Sequence, residues 1–240
     1  MKSAPRGALL ALLAILIALG AIGFAELRSR SSAIAERASA DRPTLLLLTS
    51  LPLLFSEDFS LSGTGSPALK RLQSRYRVAP ISVTSATELA KGQLLMMAQP
   101  QAQTAENLVA LDGWVRGGGR VLLFADPMLE WTSKKPLGDL TRPSPIFADT
   151  GLIQHWGVRL DAPDQRGPAQ RHLGSYKITT LSPGTLEGSC DVTNDGLVAE
   201  CRVGKGRATI VADADLLNVG DPANSNLDAL LGELAKLESK

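Results

Sequence analysis

Runs of apolar residues alternate with amphipathic stretches from residue 44 onward. Thr44–Thr49 (TLLLLT) is a continuous apolar run, the pattern of a strand buried on both faces. Ser66-Pro67 is an N-cap followed by a first helical residue, and Leu69, Leu72 and Tyr76 share a face behind it. Val78–Val83 and Leu94–Ala98 (LLMMA) read as the second and third strands. Thr104 caps a helix whose Leu108, Leu111 and Val115 form one stripe. Gly117-Gly118-Gly119 ends it, because glycine tolerates the left-handed conformation needed there. Val121–Ala125 (VLLFA) is a fourth strand, stopped by Asp126-Pro127.

This β-α-β-β-α-β order with short connections predicts an α/β fold, a mostly parallel sheet flanked by helices. Residues 128–148 are proline-rich and polar, as expected of a surface loop, and Thr150–Trp156 predicts a short helix. From about 158 to 207 the pattern changes to short strands and hairpins, a β-rich insertion with turns at Asp195-Gly196 and Gly204-Lys205-Gly206. Ala208–Ala212 returns to a buried strand. Ser225 or Asn224 caps a last helix with Leu227, Leu230, Leu231 and Leu234 on one face.

The amino terminus differs. Lys2 and Arg6 precede residues 7–25, which carry no charge. Such a stretch, at about 1.5 Å per residue, spans most of a ~30 Å hydrocarbon core. Residues 1–27 are therefore expected to be a transmembrane helix, with a cleaved signal as the alternative, and residues 28–43 a polar linker to the domain at 44–240. Positive charges on the two sides nearly balance and leave the orientation open.

Cys190 and Cys201 bear on that question. A two-residue Asp195-Gly196 loop pairs Asn194 with Leu197, Val192 with Ala199, and Cys190 with Cys201. Directly opposed residues of antiparallel strands lie within disulfide reach. The alternative is two free buried thiols. A disulfide implies an oxidising compartment. The expected placement is thus a single N-terminal span with residues 41–240 outside the cytoplasm.

Composition narrows the chemistry. Formal net charge is +1 and aromatics are 4% of the chain, which offers neither the field nor the stacking surface for nucleic acid. Two cysteines exclude a four-thiolate zinc site, and His155 and His172 leave little for a histidine metal centre. No metal and no cofactor are expected. The strand-end turns read Ala98-Gln99-Pro100, Ala125-Asp126-Pro127 and Ala212-Asp213-Ala214. None contains cysteine or serine, and there is no G-x-S-x-G, so nucleophilic catalysis lacks its first residue. Asp126, Asp213 and Asp215 follow buried strands, at the end of a sheet where ligand crevices open. They are candidate binding residues, with Asn218 beside them. Their other reading is strand stop for Asp126, helix cap for Asp213 and local turn for Asn218. The triple glycine precedes a strand, so it does not fit a phosphate loop. Gly63-Thr64-Gly65-Ser66 does open a helix and is an alternative anion position.

Several motifs together resemble a known family. They are MAQPQAQTAENLVALDGWVRGGGRVLLFADPML (97–129), LIQHWGVRL (152–160), and GKGRATIVADADLLN (204–218) followed by Asn224 and Asn226. In order and spacing the chain resembles the auxiliary proteins of ABC-2-type transporters, of the gliding-motility-associated type, over roughly 44–238. The resemblance implies a domain similar to class I glutamine amidotransferases. It also implies a non-catalytic, membrane-anchored extracytoplasmic role as a binding or docking module, with an ABC transporter permease or related membrane subunit as partner, held in the bacterial inner membrane by a single N-terminal span with the bulk of the chain periplasmic. The alternative function is a divergent hydrolase or metal-dependent enzyme that uses the strand-end carboxylates.

Overall fold

In the computed structural model, residues 34–55, 65–136, 138–139, 141–193, 195–220 and 225–239 are described. The central sheet begins with β1 (Thr44–Thr49), whose four leucines are buried, as a strand covered on both faces requires. Around it lie β2 (Arg77–Pro80), β3 (Leu94–Ala98), β4 (Arg120–Phe124), β9 (Asp191–Val192), β10 (Val198–Val203) and β11 (Gly206–Val211). Their order is β2-β1-β3-β4-β11-β10-β9. From β2 to β11 every neighbouring pair is parallel, and the last two pairings are antiparallel.

Side chains alternate across a strand, which separates two core faces. Leu46, Leu48, Leu95, Met97, Val121, Leu123 and Ile210 pack with Leu111 and Val115 of α3 (Ala105–Arg116). The alternate positions, among them Leu45, Leu47, Met96, Leu122 and Phe124, are equally buried. On that side α5 (Ser225–Ser239) packs on β4 and β11, and touches α1 (Pro67–Gln73). Ser66 caps α1 by accepting the Leu69 N–H at 3.0 Å. Thr104 caps α3 at 3.4 Å through the Asn107 N–H. Past α3, Gly117 is still right-handed and Gly118 takes the positive φ, +120°. A one-turn helix, α2 (Ala86–Leu89), was not expected; Ser85 caps it. α4 (Leu152–His155) follows the loop after β4.

Two small sheets sit beside this frame: β5 (Val158–Asp161) with β8 (Thr185–Gly188), and the hairpin β6 (Pro168–Leu173) with β7 (Tyr176–Leu181). Asn226, buried in the first turn of α5, holds β7 in place. Its Oδ1 accepts the Thr179 N–H at 2.9 Å, and its Nδ2 donates to the carbonyls of Thr179 at 2.7 Å and Leu216 at 2.9 Å.

Cys190 and Cys201 form a disulfide, with Cα atoms 4.9 Å apart. The adjoining register is Val192 opposite Ala199 and Asp191 opposite Glu200. The turn closes from the Gly196 N–H to the Thr193 carbonyl, 2.9 Å. Asn194 and Asn224 lie outside the described residues, as do Gly63 and Thr64 of the alternative anion position.

Two expectations are corrected. The main sheet is mixed: among the described residues β1, β2, β3, β4 and β11 are joined by parallel pairings, while β10 runs against them and pairs antiparallel with both β11 and β9. The Gly204-Lys205 turn folds β10 back antiparallel, and the Thr193–Gly196 turn does the same for β9. Hairpins extend the main sheet as well as decorating it. The second correction concerns the N-terminal transmembrane helix. Residues 7–25 lie outside the described residues, and among the described residues no helix is long and apolar enough to cross a membrane. The longest, α5, has 15 residues and carries Asp228, Glu233, Lys236 and Glu238. It reaches only about 22 Å at 1.5 Å per residue, short of a ~30 Å core. The single-span inner-membrane localisation, with its periplasmic bulk, is withdrawn with it. Residues Glu36–Lys240 form one compact unit. It includes the end of the expected linker, where Arg37 makes a two-pronged pair with Glu238 at 2.8 and 2.9 Å.

Candidate functional site

The carboxyl ends of β3, β4 and β11 lie side by side, so the turns that follow them form one constellation. After β3 the chain enters Gln99-Pro100 with Gln99 at φ +43°, in the left-handed region that an L-residue with a long side chain rarely takes. Gln99 is 1% exposed, and its amide is fully spent. Oε1 accepts the Asp126 N–H at 2.9 Å, while Nε2 donates to the carbonyls of Asp126 and Ser144, both at 3.1 Å. The side chain thus ties the end of β3 to the end of β4 and to the returning limb of the 128–148 loop.

Asp126 lies at the next turn and is fully buried. Its Oδ1 accepts the Met128 N–H and its Oδ2 the Ala214 N–H, each at 2.8 Å. One carboxylate therefore closes its own turn after Pro127 and bridges to the end of β11. Asp213, also fully buried, accepts the Leu216 N–H at 2.9 Å and the hydroxyl of Thr180. The first of these bonds ties Asp213 to the short 3-10 turn Asp215–Leu217, whose N-cap residue is Ala214. Asp215 accepts the Glu130 N–H at 2.8 Å. The carboxylate of Glu130 in turn accepts the hydroxyl of Ser182, a buried residue at φ +41°. Beside it Gly184 approaches so closely that a Cβ would lie 2.5 Å from the Pro127 ring, so no larger residue fits.

The acids sit in a proton-retaining environment. Burial, the largest cause, pushes Asp126 up to about 6 against the pull of the N–H groups it accepts. Burial together with the neighbouring Asp126 and Glu130 carboxylates pushes Asp215 up to about 7. Burial, then the Asp126 charge, raises Asp213 well above the ordinary range. The hydrogen bonds that Asp126, Asp213 and Asp215 accept come from backbone N–H groups and one hydroxyl, not from Lys or Arg.

The structure thus brings Asp126, Asp213 and Asp215 together and adds Gln99, Glu130, Thr180 and Ser182. Asn218 stands apart: it is exposed, ends the 3-10 turn and donates its N–H to the Asp215 carbonyl at 2.9 Å. Among the described residues no group of three or more His, Cys, Asp or Glu is arranged to hold a metal ion. Neither histidine joins the constellation. His155 is at the end of α3 from which β4 sets out, beside Arg116 at 3.1 Å and Asp112 at 3.6 Å. The backbone of His172 meets Asp195. Glu130, Thr180 and Ser182 carry no local motif; the only sequence signal near them is Ser182-Pro183-Gly184, a turn tripeptide.

No family model and no curated protein matches the chain. Solved structures do share its fold. The N-terminal domain of mmIFT52 superposes with a TM-score of 0.53 at 13% identity, covering 82% of this chain and 97% of that one. The cytoplasmic protein STM3548 from Salmonella typhimurium gives 0.50 at 11% identity, covering 81% and 98%. The exo-beta-1,4-mannosidase Op5Man5 from Opitutaceae bacterium strain TAV5 gives 0.45 at 14% identity, covering 91% of this chain and 37% of the enzyme. The chain spans only about a third of that enzyme's length and resembles it loosely; with the first two proteins the likeness concerns the fold alone.

Proposed function

We propose that the domain is non-catalytic and acts as a binding or docking module, auxiliary to an ABC-type transport system as its motifs imply. The observation that carries the reading is Gln99. The turn after β3 has the backbone strain that elsewhere presents a nucleophile, yet the residue there is a buried amide with every polar atom bonded to backbone. A spent amide cannot attack a carbonyl, and no histidine lies near it to serve as base. The acids at the adjoining turns are likewise occupied with backbone N–H groups. They shape the strand ends without presenting reactive groups.

The test has two arms. Purified full-length protein is assayed for glutaminase, esterase and phosphatase activity, with and without divalent metal, and no turnover is expected. Tagged protein isolated from its native cells in mild detergent should carry ABC-type transport subunits, identified by mass spectrometry. Metal-dependent turnover that vanishes in a folded Asp126→Asn or Asp213→Asn variant would replace this reading with the hydrolytic one.

A further inference from the structure

The starts of β4 and β11 and the end of β10 each carry an arginine, and the three are in register. Arg120 pairs with Arg207 in the parallel ladder, and Arg207 with Arg202 in the antiparallel one. Paired residues of neighbouring strands project from the same face. Here it is the face on which α5 packs, since Arg120 donates to the Glu238 carbonyl of that helix at 2.9 Å. A cation there is favoured by the unpaired carbonyls and dipole of a helix C-terminus. Arg120 is thereby accounted for.

Arg202 and Arg207 are not. Neither guanidinium makes a hydrogen bond or ion pair with any described residue. The Arg207 N–H points away from β10, to the Gly119 carbonyl at 3.2 Å. The 202–207 pair is therefore of the non-hydrogen-bonded kind, in which facing Cα atoms approach to about 4.5 Å. Like charges set opposite each other this way destabilise a sheet. A cavity of about 150 Å³ opens at the pair, lined also by Thr209, Lys236, Glu200 and Asp191. Lys236 and Glu200 neutralise one another in a direct ion pair. Thr209 is 3% exposed, and its hydroxyl is bonded to no described residue. Two guanidinium forks and an uncommitted hydroxyl thus face a space of roughly five water volumes, at about 30 Å³ each.

We propose that Arg202 and Arg207 form an oxyanion site whose ligand presents a phosphoryl group. A carboxylate has two oxygens and is satisfied by one guanidinium fork. A phosphoryl group has three free oxygens and close to two charges at neutral pH, so it can bridge both forks and offset both cations. Thr209 supplies a further donor. The site lies at the opposite end of the strands from Gln99 and Asp126, and does not depend on the docking reading.

The experiment is thermal unfolding of the full chain at pH 7, in sodium phosphate and in sodium chloride of matched ionic strength. Phosphate is expected to raise the midpoint saturably by a few degrees, as a ligand that binds only the folded state does. The Arg202→Gln/Arg207→Gln variant should lose that response and, in chloride, melt at or above the wild type, because the opposed charges are gone. An Arg202→Lys/Arg207→Lys variant keeps the charges without the forks and should lose most of the response. Glycerol phosphate separates the sources: a larger rise than with phosphate marks an organic phosphate, an equal or smaller one the free anion. No phosphate-specific rise in the wild type, or an equal rise in the glutamine variant, overturns the site. So does a glutamine variant destabilised equally in both salts, which would assign the arginines to Asp191 and Glu200.

Discussion

Asp215→Asn tests the electrostatics of the strand ends most directly. Asp215 is 1% exposed and its pKa is pushed from 3.8 up to about 7. In the unfolded chain it ionises near 3.8, while the folded protein keeps it protonated to about 7. The folded state therefore binds the extra proton, and stability falls as pH rises between those values. At about 1.4 kcal/mol per pH unit, the gap corresponds to about 4 kcal/mol lost by pH 8. That figure is an upper bound, because part of it is repulsion from Asp126 and Glu130, which relaxes if either of them takes the proton. Asparagine is neutral at every pH, and its side-chain oxygen still accepts the Glu130 N–H. Urea unfolding at pH 5, 6, 7 and 8 should give the variant an advantage of about 1–1.5 kcal/mol at pH 5, growing to about 2–4 kcal/mol at pH 8. Groups with lowered pKa, such as Asp112 and Asp195, act in the opposite sense, but only below their ordinary values near 3.8, outside this window. Parallel curves for variant and wild type from pH 5 to 8 would show that Asp215 is ionised in the fold, and would refute the argument.

Three further outcomes are expected. Protein isolated under thiol-blocking conditions should show no free thiol by mass, and reduction of the Cys190–Cys201 bond should cost about 2–4 kcal/mol in urea unfolding. Gln99→Ala should cost about 2–4 kcal/mol, because it strands the buried Asp126 N–H and two carbonyls; a loss under 1 kcal/mol would mean water replaces the amide. Glu238→Ala should cost about 1–2 kcal/mol, since it unfastens both Arg37 and the Tyr76 hydroxyl. Proteolysis after Arg37 or Arg42 would report the same release.

The parallel part of the fold was legible because its strands are apolar on both faces and its helices carry their own caps. TLLLLT and LLMMA admit few readings other than buried strands, and Ser66 and Thr104 mark helix starts by a bond they make locally. Where boundaries moved, a proline or glycine decided. Pro80 ends β2, at an edge where its missing N–H costs nothing, although the apolar pattern continues to Val83. The membership of β9 and β10 in the main sheet was not legible. A hairpin signal fixes how two strands pair with each other but says nothing about which third strand lies outside them. That choice rests on β11 lying against β4, a contact between residues about 87 positions apart, as in Arg120 and Arg207.

The strand-end acids illustrate the same limit at the level of chemistry. Asp126 and Asp213 each make a local bond: one accepts the N–H two residues on, past the proline that stops the strand, the other the N–H three residues on, within the following 3-10 turn. What cannot be read is that each uses its second oxygen across the fold, Asp126 for the Ala214 N–H and Asp213 for the Thr180 hydroxyl. Those second bonds turn separate turns into one buried acidic cluster, and burial then raises the pKa values. Glu130 and Ser182 join it from segments with no motif at all, because their pairing depends on where the loop after β4 and the end of β7 come to rest. Asn218 shows the converse. Three positions beyond Asp215 in sequence, it belongs by pattern to the same group, yet the 3-10 turn rotates it outward into solvent. A side chain's place in a motif predicts its local bond well. Its membership of a site depends on its second partner, which for every acid here lies at least 33 residues away.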